Sequence, residues 1–140
     1  MKKKLIKLAK SFAEEHHYCQ VRTGRQGKPY FEHIKEVVAL VKTSSTKKND
    51  SIIIASYLHD VVEDRKATRK EVKDLFGHDV FELVEEMTDK PFCSEAERWS
   101  NQIMAAKILS VDASLIKLAD KISNLENLFH DPPIYWSKKK

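Results

Sequence analysis

The chain has 140 residues, which suits a single domain with one real core, and 41% of them are hydrophobic. Twenty-five Lys and Arg against 21 Asp and Glu leave +4, much of it in the terminal runs Lys2-Lys3-Lys4 and Lys138-Lys139-Lys140. That balance suits a nucleotide or polyphosphate, suits nucleic acid only weakly, and gives no reason to expect a nucleic-acid partner.

Cys19 and Cys93 stand alone, with no CxxC, which argues against a zinc finger and a disulfide scaffold. Reduced thiols in a cytoplasmic protein are the simpler expectation. The stretch Leu5-Ile6-Lys7-Leu8-Ala9-Lys10 is too broken by lysine to be a signal-peptide core. No run approaches a membrane-spanning length. Three glycines and four prolines favour long helices over many turns.

Taken in order, residues 4–18 carry Leu5, Leu8, Ala9, Phe12 and Ala13 at helical spacing. Residues 22–30 (RTGRQGKPY) read as a loop. Helical periodicity resumes over 31–41, and a polar connection spans 43–50. Residues 51–63 read as a buried helix, mostly apolar from Ile52 to Val62. Thr68 with Glu71 predicts a capping box for a helix over 69–76 that stops at Gly77. Helices are predicted over 79–87, broken by Lys90-Pro91, then over 95–110 and 112–128, ended by Asp131-Pro132-Pro133. The last two carry Trp99, Ile103 and Ala106, then Leu115, Ile116, Leu118, Ala119, Ile122 and Leu125, as their apolar positions, with Trp99 a core or rim aromatic. The expectation is an all-α single domain over 1–140, of about seven helices.

The chemistry gathers in three segments. One is His59-Asp60-Val61-Val62-Glu63-Asp64, closing the buried helix. Four ionisable groups there are costly to desolvate, and a divalent metal compensates for His and Asp together. Helical spacing places His59 with Glu63, and Asp60 with Asp64, on shared faces. The other two are Pro29-Tyr30-Phe31-Glu32-His33 and the helix 116–125, where Asp120 and Asn124 lie four apart. A bundle can bring such ligands together in its core.

These motifs resemble the HD-domain phosphohydrolases, specifically the hydrolase domain of the RelA/SpoT class and the small stand-alone alarmone hydrolases. The order His…His-Asp…Asp is present as His33, His59-Asp60 and Asp120. HDVVED stands complete at 59–64, and the (V/I)KLAD(K/R)xxN element spans 116–124. Arg22 leading to Gly-Lys-Pro-Tyr, and Thr88-Asp89, also match, so the resemblance covers about 12–133.

The resemblance implies a compact HD helical bundle. It implies that His33, His59, Asp60 and Asp120 hold one divalent metal, usually manganese in that family. Glu63 and Asp64 would orient or deprotonate the attacking water. Arg22 and Lys28 would contact phosphates, and Asn124 the sugar or base. The implied reaction is hydrolysis of the 3′-pyrophosphate of ppGpp or pppGpp. No synthetase segment is present, so degradation alone is expected. Other HD domains cleave nucleoside monophosphates or the phosphate of NADPH. A silent metal- or nucleotide-binding module is the alternative outside enzymes.

Overall fold

The computed structural model describes residues 2–44 and 49–136; the lysine run 138–140 and much of the 43–50 connection lie outside them. Seven helices are described: α1 (Lys2–His16), α2 (Tyr30–Ser44), α3 (Asp50–Leu58), α4 (Arg69–Phe76), α5 (His78–Met87), α6 (Glu95–Ala106) and α7 (Val111–His130). Among the described residues the one β feature is an isolated antiparallel bridge, Val21 to Pro29, pinching the base of the 22–30 loop. No described helix is long and apolar enough to cross a membrane.

The helix α3 is the axis of the bundle. It is apolar all round, the pattern of a helix enclosed by others, and every residue from Ile52 to Leu58 is buried. Helices α1, α2, α5 and α7 pack around it. Asn49 caps its start by accepting the Ser51 N–H at 3.0 Å. The capping box of α4 forms as expected, Thr68 Oγ1 accepting from Glu71 N and Glu71 Oε2 accepting from Thr68 N. Gly77, at φ 87°, turns the chain directly into α5.

Two expectations need correction. The buried helix stops at Leu58, not at residue 63. His59 keeps helical angles, and Asp64 N still donates to Asp60 O at 2.9 Å, but residues 59–65 form successive turns. The N–H groups of both Lys66 and Ala67 converge on the Val61 carbonyl, and Arg65, at φ 56°, reverses the chain. One α-type turn, from Asp60 to Asp64, thus outlasts the helix, and His59, Asp60, Glu63 and Asp64 all face one cleft from these turns.

The second correction concerns α6 and α7. Helix α6 buries none of its residues, so Trp99 and Ile103 lie exposed. Helix α7 turns Ala113, Ile116, Ala119, Asp120 and Ser123 to the core. Leu118, Ile122, Leu125 and Phe129 occupy its other side and are exposed, Leu118 by 61% and Phe129 by 83%. The helix is apolar on two sides, and periodicity does not distinguish them.

The 22–30 loop is anchored by the end of α7. Buried Asp131 accepts the backbone N–H groups of Arg25 and Gln26 at 2.9 to 3.3 Å. Asn127 Nδ2 adds a bond to the Thr23 carbonyl at 2.8 Å. Gly24 permits this close approach, because a Cβ there would lie 2.3 Å from Asp131 Oδ2 and 2.8 Å from its carbonyl oxygen. Gly24→Ala should cost about 1 to 3 kcal/mol by overpacking and strain. Thermal melting would show the loss, and hydrogen exchange should localise it to 22–30.

Candidate metal centre

Four side chains from three parts of the chain converge in the core. His33 comes from the first turn of α2, His59 and Asp60 from the turns closing α3, and Asp120 from mid-α7. All four are buried, and one ligand atom from each lies within 4.8 Å of the others. His33 Nε2 is 3.1 Å from Asp120 Oδ1 and 3.6 Å from Asp60 Oδ2. His59 Nε2 is 3.0 Å from Asp60 Oδ2 and 3.6 Å from Asp120 Oδ1.

The other ring nitrogens decide what this cluster wants. His59 Nδ1 faces the Ser56 carbonyl at 2.8 Å, which only accepts, so Nδ1 carries the hydrogen. His33 Nδ1 lies 2.9 Å from Ser123 Oγ. That hydroxyl donates to Glu36 Oε2 at 2.6 Å and accepts from Arg22 NH2 at 2.9 Å, so His33 Nδ1 also donates to it. In the neutral rings both Nε2 atoms are then lone pairs, buried and without a hydrogen-bond partner. Two such nitrogens facing two carboxylate oxygens call for positive charge between them, supplied by protons on Nε2 or by a metal ion. Mixed N and O donors of this kind fit a divalent metal, and Mn²⁺, Fe²⁺ or Zn²⁺ more than Mg²⁺.

A polar cleft opens beside the cluster. Tyr30, Glu63, Asp64, Arg98, Gln102, Lys117, Lys121 and Asn124 line it with His59, Asp60 and Asp120. The Tyr30 hydroxyl donates to Asp60 Oδ2 at 2.6 Å, and Asn124 Nδ2 to Asp120 Oδ1 at 3.1 Å. Glu63 Oε1 accepts the Asp89 N–H at 2.9 Å. Asp64 accepts from Gln20, whose own oxygen is met by His17 Nδ1 at 2.7 Å. The carboxylate of Asp89 receives Arg98 Nε at 3.0 Å and Gln102 Nε2 at 2.7 Å.

Two expected phosphate contacts sit elsewhere. Arg22 is only 6% exposed and lies behind His33, bonded to Glu36 and Ser123. Lys28 is exposed on the loop, and neither residue lines the cleft. Sequence reading missed Glu36, Ser123, Tyr30 and Gln20 as partners of the site. Glu36 and Ser123 carried a signal, each being three residues beyond a proposed ligand on a helix. Gln20 carried none.

A family model described as an HD domain matches residues 9–135. The chain belongs to the HD-domain family. This HD domain is 37% identical over 129 residues to the guanosine-3′,5′-bis(diphosphate) 3′-pyrophosphohydrolase MESH1 of Drosophila melanogaster, covering 92% of the chain and 72% of that protein. It is 36% identical over 132 residues to the MESH1 of Homo sapiens, covering 94% and 74%. Among solved structures it resembles a metazoan ortholog of SpoT that hydrolyses ppGpp, with a TM-score of 0.89 and 36% identity, covering 96% of this chain and 76% of that one.

The electrostatics of this HD domain follow from its burial. Burial alone pushes His33 and His59 down, but contacts with Asp60 and Asp120 outweigh it and hold both above the ordinary histidine value. Burial pushes the two carboxyls up, and the histidines overcome that too, leaving Asp60 and Asp120 below the usual carboxylate range. At Glu63 and Asp64 burial wins, and both lie above their ordinary values.

The sign for metal-free protein is set by these directions. Raised histidines contribute stability that is fully present below their unfolded value and lost as pH rises through the folded one. Depressed carboxyls contribute stability present above their unfolded values and lost as pH falls through the folded ones. Metal-free protein should therefore melt at lower temperature as pH rises above the ordinary histidine range. Added metal should remove that fall, because it replaces the protons. Melting curves across that range, with chelator and with Mn²⁺, test it.

Proposed function

We propose that this HD domain hydrolyses the 3′-pyrophosphate of ppGpp and pppGpp, giving GDP or GTP and pyrophosphate. The observation that carries the proposal is a buried set of two histidine lone pairs and two carboxylates opening onto a cleft with two further acids. The MESH1 relatives, named for that activity, supply the substrate class.

In this reading His33, His59, Asp60 and Asp120 hold one divalent ion, Mn²⁺ by the resemblance. When bound, such an ion acidifies water and polarises a phosphoryl oxygen. Glu63 and Asp64, raised by burial, are suited to orient the attacking water and accept its proton. The bond that breaks joins O3′ to phosphorus; the water oxygen ends on phosphorus and a proton ends on O3′. Arg98, Lys117 and Lys121 bring positive charge to a highly anionic substrate. Asn124, on the cleft wall, contacts the sugar or base in this reading. Arg22, expected as a phosphate contact, is assigned instead to the support of His33. The exposed free thiols Cys19 and Cys93 suit a reducing cytoplasm.

Purified protein with Mn²⁺ should convert ppGpp to GDP and pyrophosphate, resolved by chromatography. Orthophosphate from NADPH or nucleoside monophosphates, with ppGpp untouched, would replace this reading by that of another HD phosphatase. Metal binding with no turnover of any of them would leave a binding module.

A further inference from the structure

The two histidines of the cluster are oriented by different means. His59 Nδ1 is held by a backbone carbonyl of its own turn, Ser56 O, which no side-chain change removes. His33 Nδ1 is held by a side chain on another helix, Ser123 Oγ at 2.9 Å. Ser123 is fully buried. Its hydroxyl has three polar neighbours and one hydrogen to give. Glu36 Oε2, at 2.6 Å, is a carboxylate oxygen and takes that hydrogen. Arg22 NH2, at 2.9 Å, can only donate. The remaining lone pair of Oγ is left for the Nδ1–H of His33.

We propose that Ser123 and Glu36 are positioning residues for His33, holding its ring in the tautomer that offers Nε2 to a metal. The proposal rests on His33 being a ligand. Glu36 fixes the direction of the Ser123 hydroxyl, and that hydroxyl fixes the hydrogen on Nδ1. Partners of this kind orient metal-bound histidines and raise their basicity. Arg22 makes the arrangement consequential. Its NH2 group lies 3.4 Å from His33 Nδ1 and also donates to the Ser123 carbonyl at 2.8 Å. Without the serine hydroxyl, the guanidinium is the remaining donor facing Nδ1. The favoured tautomer then carries its hydrogen on Nε2, where it blocks coordination. The arginine is itself kept beside Glu36 by a 3.0 Å ion pair.

The test is calorimetric titration of Mn²⁺ into metal-free protein, with melting of the same samples as control. Ser123→Ala should weaken Mn²⁺ binding by about tenfold to a hundredfold. Ser123→Thr, which keeps the hydroxyl, should restore most of the affinity. Glu36→Gln should weaken binding by a smaller factor, since an amide oxygen still accepts from the serine. His33→Ala separates the two levels. If H33A loses Mn²⁺ while S123A binds it like the parent, the positioning role is overturned and the ligand assignment stands. If H33A also binds like the parent, the ligand assignment fails and the positioning role with it. A lowered melting temperature for S123A with unchanged Mn²⁺ affinity would reduce Ser123 to a packing role, which again overturns the proposal.

Discussion

Asp120→Ala should abolish bound metal and pyrophosphate release together. The carboxylate supplies the oxygen nearest His33 Nε2, at 3.1 Å, and also reaches His59 Nε2 at 3.6 Å. Its removal leaves one carboxylate to balance a divalent ion in a buried site, where unpaired charge is heavily penalised. Metal chemistry of this kind is worth several kcal/mol in the transition state, and about 4 kcal/mol is roughly a thousandfold in rate. Elemental analysis after gel filtration in Mn²⁺, alongside a ppGpp assay, reads both effects. Full occupancy in D120A would show that the ligand set is misassigned. The metal-free variant should also show a weaker pH dependence of melting, because His33 loses its nearest carboxylate while His59 keeps Asp60 at 3.0 Å.

Glu63→Gln should separate what D120A joins. Glu63 Oε1 holds the Asp89 N–H at 2.9 Å, and a glutamine oxygen can keep that bond. The turn and the metal cluster should therefore persist. What is lost is a carboxylate able to take a proton, an effect of about a hundredfold to ten-thousandfold where such a group is the base. Unchanged Mn²⁺ stoichiometry with turnover reduced in that range is the expected result. Parent-like turnover in E63Q would move the role to Asp64, which Gln20 and His17 hold in place from behind.

Much of this was legible in the chain itself. Capping at Thr68, the stop at Gly77 and the breaks at Pro91 and Pro132 are local signals, and the helices follow them. His33, His59, Asp60 and Asp120 were found as motifs, and the fold brings them together. The place of Arg22 was not legible. A loop arginine before a histidine looks free to meet phosphate, and only the packing of α2 against α7 shows its guanidinium enclosed by Glu36 and Ser123. Nor could the end of α3 be read, since Val61 and Val62 are as apolar and as buried in turns as they would be in a helix. The exposure of Leu118, Ile122 and Leu125 failed for the related reason that a stripe does not name its partner.

Helix α6 forms part of the cleft wall, yet it buries none of its residues. Arg98 and Gln102 tie it to the Asp89 carboxylate, and the N–H of the same residue holds Glu63. A wall tied by an ion pair and an amide rather than by apolar burial responds more to ionic strength than the bundle behind it, though a half-buried pair is screened less than a surface one. Raising salt should loosen this side of the cleft selectively, with faster amide exchange in 95–106 and an unchanged core. The proposed catalytic carboxylate would then feel the ionic composition of its surroundings through one aspartate, well before the fold does.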